Sequence, residues 1–188
     1  MNQSEIFARI KSSDPTVFSE IVEHWQSMLY NTALSIVQNE EDAEDITQDV
    51  FIEVYENMES FRDEASFSTW LYRITVNKAL DFEKKKKRQK HGGLFKRIFA
   101  INEEEQPASF NHPGVLLDNK EKSAVLFKAL KKLPPNQKIA FTLHKIEGLS
   151  YKEVADIMNI SLYAAESLMG RARNGLKKIL EQYYLSQQ

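Results

Sequence analysis

The segment 149–176 carries the feature that most constrains the fold, a pair of helix signals joined by one tight-turn signal. Ser150 and Glu153 match the S-x-x-E capping box found at helix starts. Asn159 follows, and asparagine is among the few non-glycine residues that tolerate the left-handed backbone of a turn. Ser161 is placed to cap a second helix, whose apolar residues recur at three- and four-residue spacing: Leu162, Ala165, Leu168, Met169, Ala172 and Leu176. The segment is therefore predicted to be a helix-turn-helix.

A helix-turn-helix of this kind has two possible uses. The second helix keeps a free polar face that can enter a DNA major groove, or the pair is an αα-hairpin that only packs. Basic residues along the second helix favour DNA, and Arg171, Arg173 and Lys177 are expected to reach phosphates from its later turns. The candidate DNA-contacting residues are Ser161, Tyr163, Ala164, Glu166, Ser167, Gly170, Arg171, Arg173 and Lys177.

Composition argues against several classes of protein. The 188-residue chain has no cysteine, so it has no disulfide framework and no thiolate metal site. It contains no run of about 18 apolar residues, so membrane insertion is not expected. Its first residues lack the basic region and apolar stretch of a secretory signal. We therefore expect a cytoplasmic protein made of one domain or two small ones.

The net charge of −2 hides a segregation of charge along the chain. Between residues 40 and 64 the charged residues are acidic except for Arg62, whereas between 84 and 97 they are all basic. This asymmetry predicts two partners of opposite charge. The alternative is an acidic helix face in water together with a solvated basic linker.

Hydrophobic periodicity is helical almost throughout and predicts an all-α protein. Asp14 and Pro15 are expected to open one helix, with a second from about Ser27 to Gln38. Further helices are predicted at 41–58, from 66 into the lysine run, and at 116–133, where two prolines end the last of these. The pattern dissolves in between, and about 30 residues without periodicity indicate a linker. The expected units are an N-terminal domain at 1–88, a linker at 89–117 and a C-terminal helix-turn-helix domain at 118–188.

The third predicted helix has an unusual outer face. At 100° per residue its acidic residues form one stripe opposite its apolar side, and Ile52 lies at the centre of that stripe. An apolar anchor with a charged rim is typical of a docking surface. Metal binding is the competing idea, but the carboxylates lack the glycine and ligand order of a calcium loop. The stripe consists of Glu41, Asp45, Asp49, Ile52 and Glu56.

The outer side of the fourth predicted helix carries an aromatic residue among polar and basic ones. Trp70 in line with Arg73, Asn77 and Lys84 suits stacking on unpaired bases beside phosphate contacts. The alternative is that Trp70 lies at the edge of the core. Just before this helix, two phenylalanines frame the polar segment 61–67, which is enough to form a pocket for a flipped base.

No catalytic arrangement is visible in the sequence. The four histidines are scattered, without partners at helical spacing for a metal, and there is no glycine-rich phosphate loop or cysteine nucleophile. We therefore expect neither an enzyme nor a metal, a cofactor or a small-molecule substrate.

Two stretches now carry a resemblance to a known family. Residues 42–81, DAEDITQDVFIEVYENMESFRDEASFSTWLYRITVNKALD, resemble the second conserved region of bacterial sigma factors of the extracytoplasmic-function group. Residues 133–178, LPPNQKIAFTLHKIEGLSYKEVADIMNISLYAAESLMGRARNGLKK, resemble their fourth region. The resemblance implies two helical domains on a flexible linker, acting as the promoter-specificity subunit of RNA polymerase. It also makes an anti-sigma factor an expected partner.

The resemblance also implies roles for particular residues. The acidic helix would dock on the basic clamp helices of core RNA polymerase, through Asp42, Asp45, Gln48, Asp49, Ile52 and Glu56. The following loop and helix would recognise and melt the minus-ten element of promoter DNA, through Phe61, Arg62, Asp63, Ser66, Phe67, Trp70, Arg73, Asn77 and Lys84. The helix-turn-helix would bind the minus-thirty-five element.

This sequence departs from the family pattern at two places. Asp63 and Glu64 stand where the family commonly has a glycine, which implies a differently shaped base pocket. Glu166 and Leu168 stand where many members have basic residues, and Glu166 can accept a hydrogen bond from cytosine N4. Two rival functions remain at this point: a stand-alone helix-turn-helix regulator, which predicts a dimer on symmetric half-sites, and a helical adaptor.

Overall fold

A computed structural model of the chain describes residues 3–61, 65–92 and 120–185. Within these ranges the regular structure is helical, as the periodicity predicted, and no residue there belongs to a strand. None of the helices so described is long and apolar enough to cross a membrane. The helices are α1 (Gln3–Lys11), α2 (Val17–Val37), α3 (Glu40–Asn57), α4 (Phe67–Gly92), α5 (Lys120–Lys131), α6 (Pro135–Phe141), α7 (Tyr151–Met158) and α8 (Leu162–Leu185), with a 3-10 turn at Met58–Ser60 and a π-helical turn at Thr142–Ile146.

The N-terminal helices differ from the prediction in two ways. The predicted break near Ser27 is wrong: α2 is continuous because Ile21, Trp25 and Leu29 are all buried and carry the apolar stripe past the exposed Ser27. Asp14 does not cap a helix at Pro15. Its carboxylate accepts a 2.9 Å hydrogen bond from the Thr16 amide, and α2 begins at Val17.

The N-terminal half is built on α2, α3 and α4, which pack on one another. Asn39 caps α3 by accepting a 2.8 Å hydrogen bond from the Asp42 amide. Two ion pairs join α3 to α4, Lys86 with Asp42 at 2.8 Å and Lys78 with Glu53 at 2.9 Å. This packing fixes which face of α3 and which face of α4 remain outside. α4 extends to Gly92, into the predicted linker, whose remainder lies outside the described residues.

The C-terminal half contains the predicted helix-turn-helix. Ser150 and Glu153 form the capping box of α7, and Asn159 ends this helix in the left-handed conformation at φ 53°. Ser161 caps α8 by accepting a 3.2 Å hydrogen bond from the Ala164 amide. The buried residues of α8 are Ala165, Met169, Ala172 and Leu176, whereas Leu162, which the periodicity assigned to the apolar side, is exposed in the first turn.

The two halves pack directly against each other through α4 and α7. Arg73 of α4 donates a 2.8 Å hydrogen bond from Nε to the carbonyl of Asp156, and the Tyr72 hydroxyl donates to a carboxylate oxygen of Glu147 at 3.3 Å. At the other end of this interface, Lys138 donates to the carbonyl of Ile36 at 2.6 Å. The halves therefore share one packed boundary in the arrangement described here, which the separate sequence motifs did not predict.

Candidate nucleic-acid interface

The outer face of α3 is acidic with an apolar centre. Ile52 is 57% exposed, although it lies on a helix whose opposite side is fully packed. Tyr55, one turn further, is also exposed and packs its ring edge-on against Phe18 at 5.1 Å. Sequence reasoning missed Tyr55, although its i+3 spacing from Ile52 places the two on one face. We call this surface the docking face, and its exposed members are Asp45, Gln48, Asp49, Ile52, Tyr55 and Glu56.

Asp42 differs from the other acidic residues predicted to bind the polymerase. Its carboxylate is half-buried and forms the 2.8 Å ion pair with Lys86 of α4. A carboxylate already paired inside the domain offers less charge to a partner than an exposed one. Asp42 therefore contributes to holding α3 on α4, and the docking face begins one turn later.

An aromatic cluster connects the end of α3 to the start of α4. Phe61 lies 5.3 Å from Phe67 and 5.3 Å from Trp70, measured between ring centroids. Phe67 is only 2% exposed and also packs against Trp25, so it supports the cluster from the core and cannot itself touch a ligand. Trp70 is partly buried, which places it at the edge of the core, while one side of it remains accessible.

A cavity of about 370 Å³ opens beside this cluster. Phe61 and Trp70 supply its aromatic wall, and Glu53, Asn57, Ser60 and Arg73 supply polar groups. This volume is in the range of small-ligand pockets. The cavity therefore offers a ring face for stacking beside groups that can form hydrogen bonds, both of which a single base could use. Arg62 and Asp63, predicted to contact the same element, lie outside the described residues.

The remaining predicted residues of α4 have different environments. Ser66 is exposed and caps the helix, because its hydroxyl accepts a 3.0 Å hydrogen bond from the Thr69 amide. Asn77 and Lys84 are exposed, and Lys84 forms a 2.9 Å ion pair with Asp81 on the same helix. Arg73 is partly buried because it contacts α7. One edge of α4 therefore faces outward as predicted, while Arg73 is engaged by the other half.

Most of the α8 residues predicted to contact DNA lie on its exposed side. Tyr163 is 80% exposed at the start of the helix, and Glu166 and Gly170 are exposed on the following turns. Ala164 and Ser167 are half-buried, and Ser167 accepts a 3.0 Å hydrogen bond from the guanidinium of Arg171. This face has the exposure and the polar groups that a major groove requires.

The later turns of α8 carry its cations. Arg173 donates a 3.1 Å hydrogen bond to the Tyr151 hydroxyl at the start of α7, which orients its guanidinium beside the groove-facing surface. Lys177 is exposed and lies 3.8 Å from Glu181. At the start of α7, the hydrogen bond from the Ser150 side chain lowers the pKa of Glu153, because it stabilises the charged form of the capping-box carboxylate.

Comparison with known proteins agrees with this arrangement. The family model of Sigma-70 region 2 matches residues 21–89, and that of Sigma-70, region 4 matches residues 123–176. The ECF RNA polymerase sigma-E factor of Escherichia coli strain K12 is 31% identical over 170 residues, which cover 89% of this chain and 88% of that protein. RNA polymerase sigma-H factor of Pseudomonas aeruginosa is 27% identical over 185 residues, which cover 94% and 93%.

Solved structures share the fold. CnrH, in complex with the cytosolic domain of CnrY, matches with a TM-score of 0.69 at 23% identity, over 96% of this chain and 97% of that chain. The sigma factor RpoE of Bartonella quintana, in complex with the anti-sigma factor NepR, matches with a TM-score of 0.67 at 25% identity, over 88% and 98%. The chain belongs to the extracytoplasmic-function group of sigma factors, the subunits that direct RNA polymerase to specific promoters.

Proposed function

We propose that this sigma factor divides promoter-directed initiation among three surfaces. The docking face of α3 binds core RNA polymerase, the cavity beside Trp70 holds an unpaired base of the minus-ten element, and the free face of α8 binds the minus-thirty-five element. Melting is then the capture of flipped bases, whose binding energy offsets the unpairing and unstacking of the duplex. The chain itself performs no catalysis, and it works in the cytoplasm with the polymerase.

The observation that carries this proposal is the exposure of Ile52 at the centre of carboxylates. A solvent-facing helix has no need of an apolar residue there, whereas the core of an interface prefers apolar anchors inside a charged rim. The acidic rim complements a basic partner and speeds association through long-range attraction. A stand-alone regulator that binds only duplex DNA would gain nothing from this acidic face, because the DNA phosphates repel its carboxylates.

The test replaces Ile52 by Arg. Loss of an anchor at an interface centre commonly costs about 2 kcal/mol or more, and the added charge opposes a basic partner, so Ile52→Arg should abolish co-elution with core polymerase and promoter-dependent transcription. Leu185→Arg is the control, since Leu185 is also exposed, at 70% compared with 57% for Ile52, but lies at the far end of α8. Retained binding by Ile52→Arg, with native helicity, would remove α3 from the docking surface.

Promoter geometry requires the two halves to separate. The minus-ten and minus-thirty-five elements are about 25 base pairs apart, which is roughly 85 Å of duplex at 3.4 Å per step. Residues Tyr72 and Glu147 of the two halves are in hydrogen-bond contact here. The residues between α4 and α5 can extend to about 90 Å, enough to bridge the elements. We infer that the packed arrangement is a closed state that opens when the promoter is bound.

We also propose that an anti-sigma factor regulates this protein. The structure of Bartonella quintana RpoE that it resembles contains the anti-sigma factor NepR. A binder that stabilised the closed state would oppose promoter recognition without touching DNA, because it would shift the population away from the open form. Affinity purification of the tagged chain from its own host should recover such a partner, and the partner should compete with core polymerase.

A further inference from the structure

The last turns of α4 carry the beginning of the basic run that starts at Lys84 in the sequence. One member of this run is used inside the N-terminal half, because Lys86 is half-buried and paired with Asp42 at 2.8 Å. Lys84 and Arg88 are exposed instead. We call these two residues the basic end of α4. The three surfaces of the proposed function give it no role.

The basic end of α4 lies on the same side of the helix as Trp70. The helix is continuous from Phe67 to Gly92. At 3.6 residues per turn, exposed Asn77 lies about two turns after Trp70, and Lys84 lies about four turns after it. Arg88 follows at about five turns, so its side chain returns to the same direction. One stripe of α4 therefore begins at the base cavity and ends on two cations.

Both cations can bind an external anion. Lys84 forms a 2.9 Å ion pair with Asp81, but the two side chains are 63% and 75% exposed, and such surface pairs contribute little to stability. A phosphate oxygen offers Lys84 the same charge as Asp81, so exchanging one for the other costs little. The Nε of Arg88 donates a 3.4 Å hydrogen bond to the carbonyl of Lys84, a long contact that leaves its charge without a described carboxylate partner.

The length of α4 determines where these cations would lie along promoter DNA. Arg88 is eighteen residues beyond Trp70, which is about 27 Å at 1.5 Å per residue. Lys84 is about 21 Å beyond Trp70 by the same measure. At 3.4 Å per step, these distances correspond to about six and about eight base pairs of duplex. The chain continues from this end of α4 to the C-terminal half, which is proposed to bind the minus-thirty-five element, so the basic end points upstream.

We propose that the basic end of α4 binds phosphates of the paired spacer DNA, about six to eight base pairs upstream of the base held beside Trp70. This position rests on the proposed function, since it is measured from the proposed base site. Contacts of Lys and Arg with phosphates read no sequence and fix the register of a protein on the duplex. The basic end would thereby anchor the N-terminal half on paired DNA next to the segment that melts.

The experiment uses holoenzyme, assembled from the full chain and core polymerase, on two fork-shaped promoter fragments. In both fragments the minus-ten segment is single-stranded and the minus-thirty-five element is absent. The duplex upstream of the minus-ten segment is about 4 base pairs long in one fragment and about 12 in the other, so that only the longer one reaches the basic end. Wild-type holoenzyme should bind the longer fragment about tenfold more tightly at low salt, with a salt dependence steeper by about two phosphate equivalents.

Charge variants assign this gain to particular residues. Lys84→Gln with Arg88→Gln should bind the longer fragment about tenfold more weakly and the shorter one as the wild type does, with the same base preference at the minus-ten position. Lys122→Gln with Lys128→Gln removes the same charge from exposed positions of α5 and should change neither affinity. Asp81→Asn removes a carboxylate that faces the same phosphates and should tighten binding of the longer fragment.

The difference between the two fragments decides the proposal. Cations near the end of a helix also stabilise it through the helix dipole, but that effect does not depend on the length of the DNA. Equal loss on both fragments, no loss on either, or the same loss in the α5 control would overturn the proposal. A wild type that binds neither fragment would overturn the proposed base site, and this inference with it. A wild type that binds both equally would overturn the spacer contact alone.

Discussion

The guanidinium of Arg73 in α4 donates a 2.8 Å hydrogen bond to the backbone carbonyl of Asp156 in the last turn of α7. The same carbonyl accepts a longer hydrogen bond, of 3.4 Å, from the amide of Asn159, and carbonyls in the last turn of a helix attract cations. Arg73 is also a residue that we propose for the minus-ten surface. Arg73 also lines the cavity beside Trp70, so the contact between the halves and the proposed minus-ten surface share this side chain.

Replacing Arg73 should therefore affect two properties together. Arg73→Ala removes a charge-assisted but partly exposed hydrogen bond worth about 1 kcal/mol, which is about a fivefold change in the ratio of closed to open molecules. A fluorescent donor and acceptor can be attached at Glu23→Cys and Lys152→Cys, exposed sites of the two halves in a chain without cysteine. Energy transfer between them should fall in the free protein. Asn77→Ala is the control, because exposed Asn77 lies on the same helix and its loss should reduce promoter opening without opening the halves. Equal energy transfer in wild type and Arg73→Ala would show that this bond does not hold the closed state.

Replacing Trp70 should reduce promoter melting more than it reduces the stability of the N-terminal half. Stacking on a base is worth roughly 1–3 kcal/mol, so Trp70→Ala should lower permanganate-detected opening by about tenfold while closed complexes still form. Trp70→Phe keeps the contact with Phe61 and should retain part of the opening. If Trp70→Ala instead unfolds the N-terminal half in thermal denaturation, its role is that of a core residue.

Substitutions of the base-facing and of the phosphate-facing residues of α8 should change DNA binding in different ways. Glu166→Lys should change which upstream sequence is preferred, by roughly 1–3 kcal/mol at one base pair, although it adds favourable charge. Arg173→Ala should weaken binding to every sequence and lower the salt dependence by about one phosphate equivalent. A binding selection on randomised upstream elements at two salt concentrations separates these effects. Uniformly tighter binding by Glu166→Lys would mean that Glu166 reads no base.

The two glycines of α8, Gly170 and Gly175, allow the same substitution to be compared in open and in crowded surroundings. A Cβ at Gly170 meets no described atom within 4 Å, so Gly170→Ala should raise the free energy of unfolding by about 1 kcal/mol through helix propensity. A Cβ at Gly175 lies 2.8 Å from Cδ2 of Leu133, so Gly175→Ala should gain less because Leu133 must shift. Urea unfolding measures both. Gly170→Ala should nevertheless weaken binding of the upstream element, and unchanged binding would show that DNA does not approach Gly170 closely.

The parts of the structure that depend on short-range signals could be predicted from sequence. The capping box at Ser150, the turn at Asn159 and the cap at Ser161 involve residues only a few positions apart, and all three are confirmed. The acidic stripe on α3 could also be predicted, because helical periodicity fixes which residues share a face. The exposure of Ile52 follows from the burial of the opposite side.

Features that depend on distant partners could not be predicted in this way. Nothing near Arg73 in the sequence points to Asp156, and nothing near Lys138 points to Ile36, since each pair is brought together only by the packing of the two halves. The prediction of a helix break at Ser27 was wrong for a related reason, because the burial of neighbouring residues outweighs the local polarity of one residue. The assignment of Leu162 to the apolar side was wrong, because the first turn of α8 leaves this residue 50% exposed.

The end of α2 receives part of its support from the other half of the protein. Lys138 donates to the carbonyl of Ile36, and the amide of Gln38 side chain donates to the carbonyl of Phe127 at 3.0 Å. When the halves part, this last turn loses both contacts and should fray, so its backbone amides would exchange with deuterated water faster. Hydrogen exchange at the end of α2 therefore reports the separation of the halves in the unlabelled protein during assembly with polymerase.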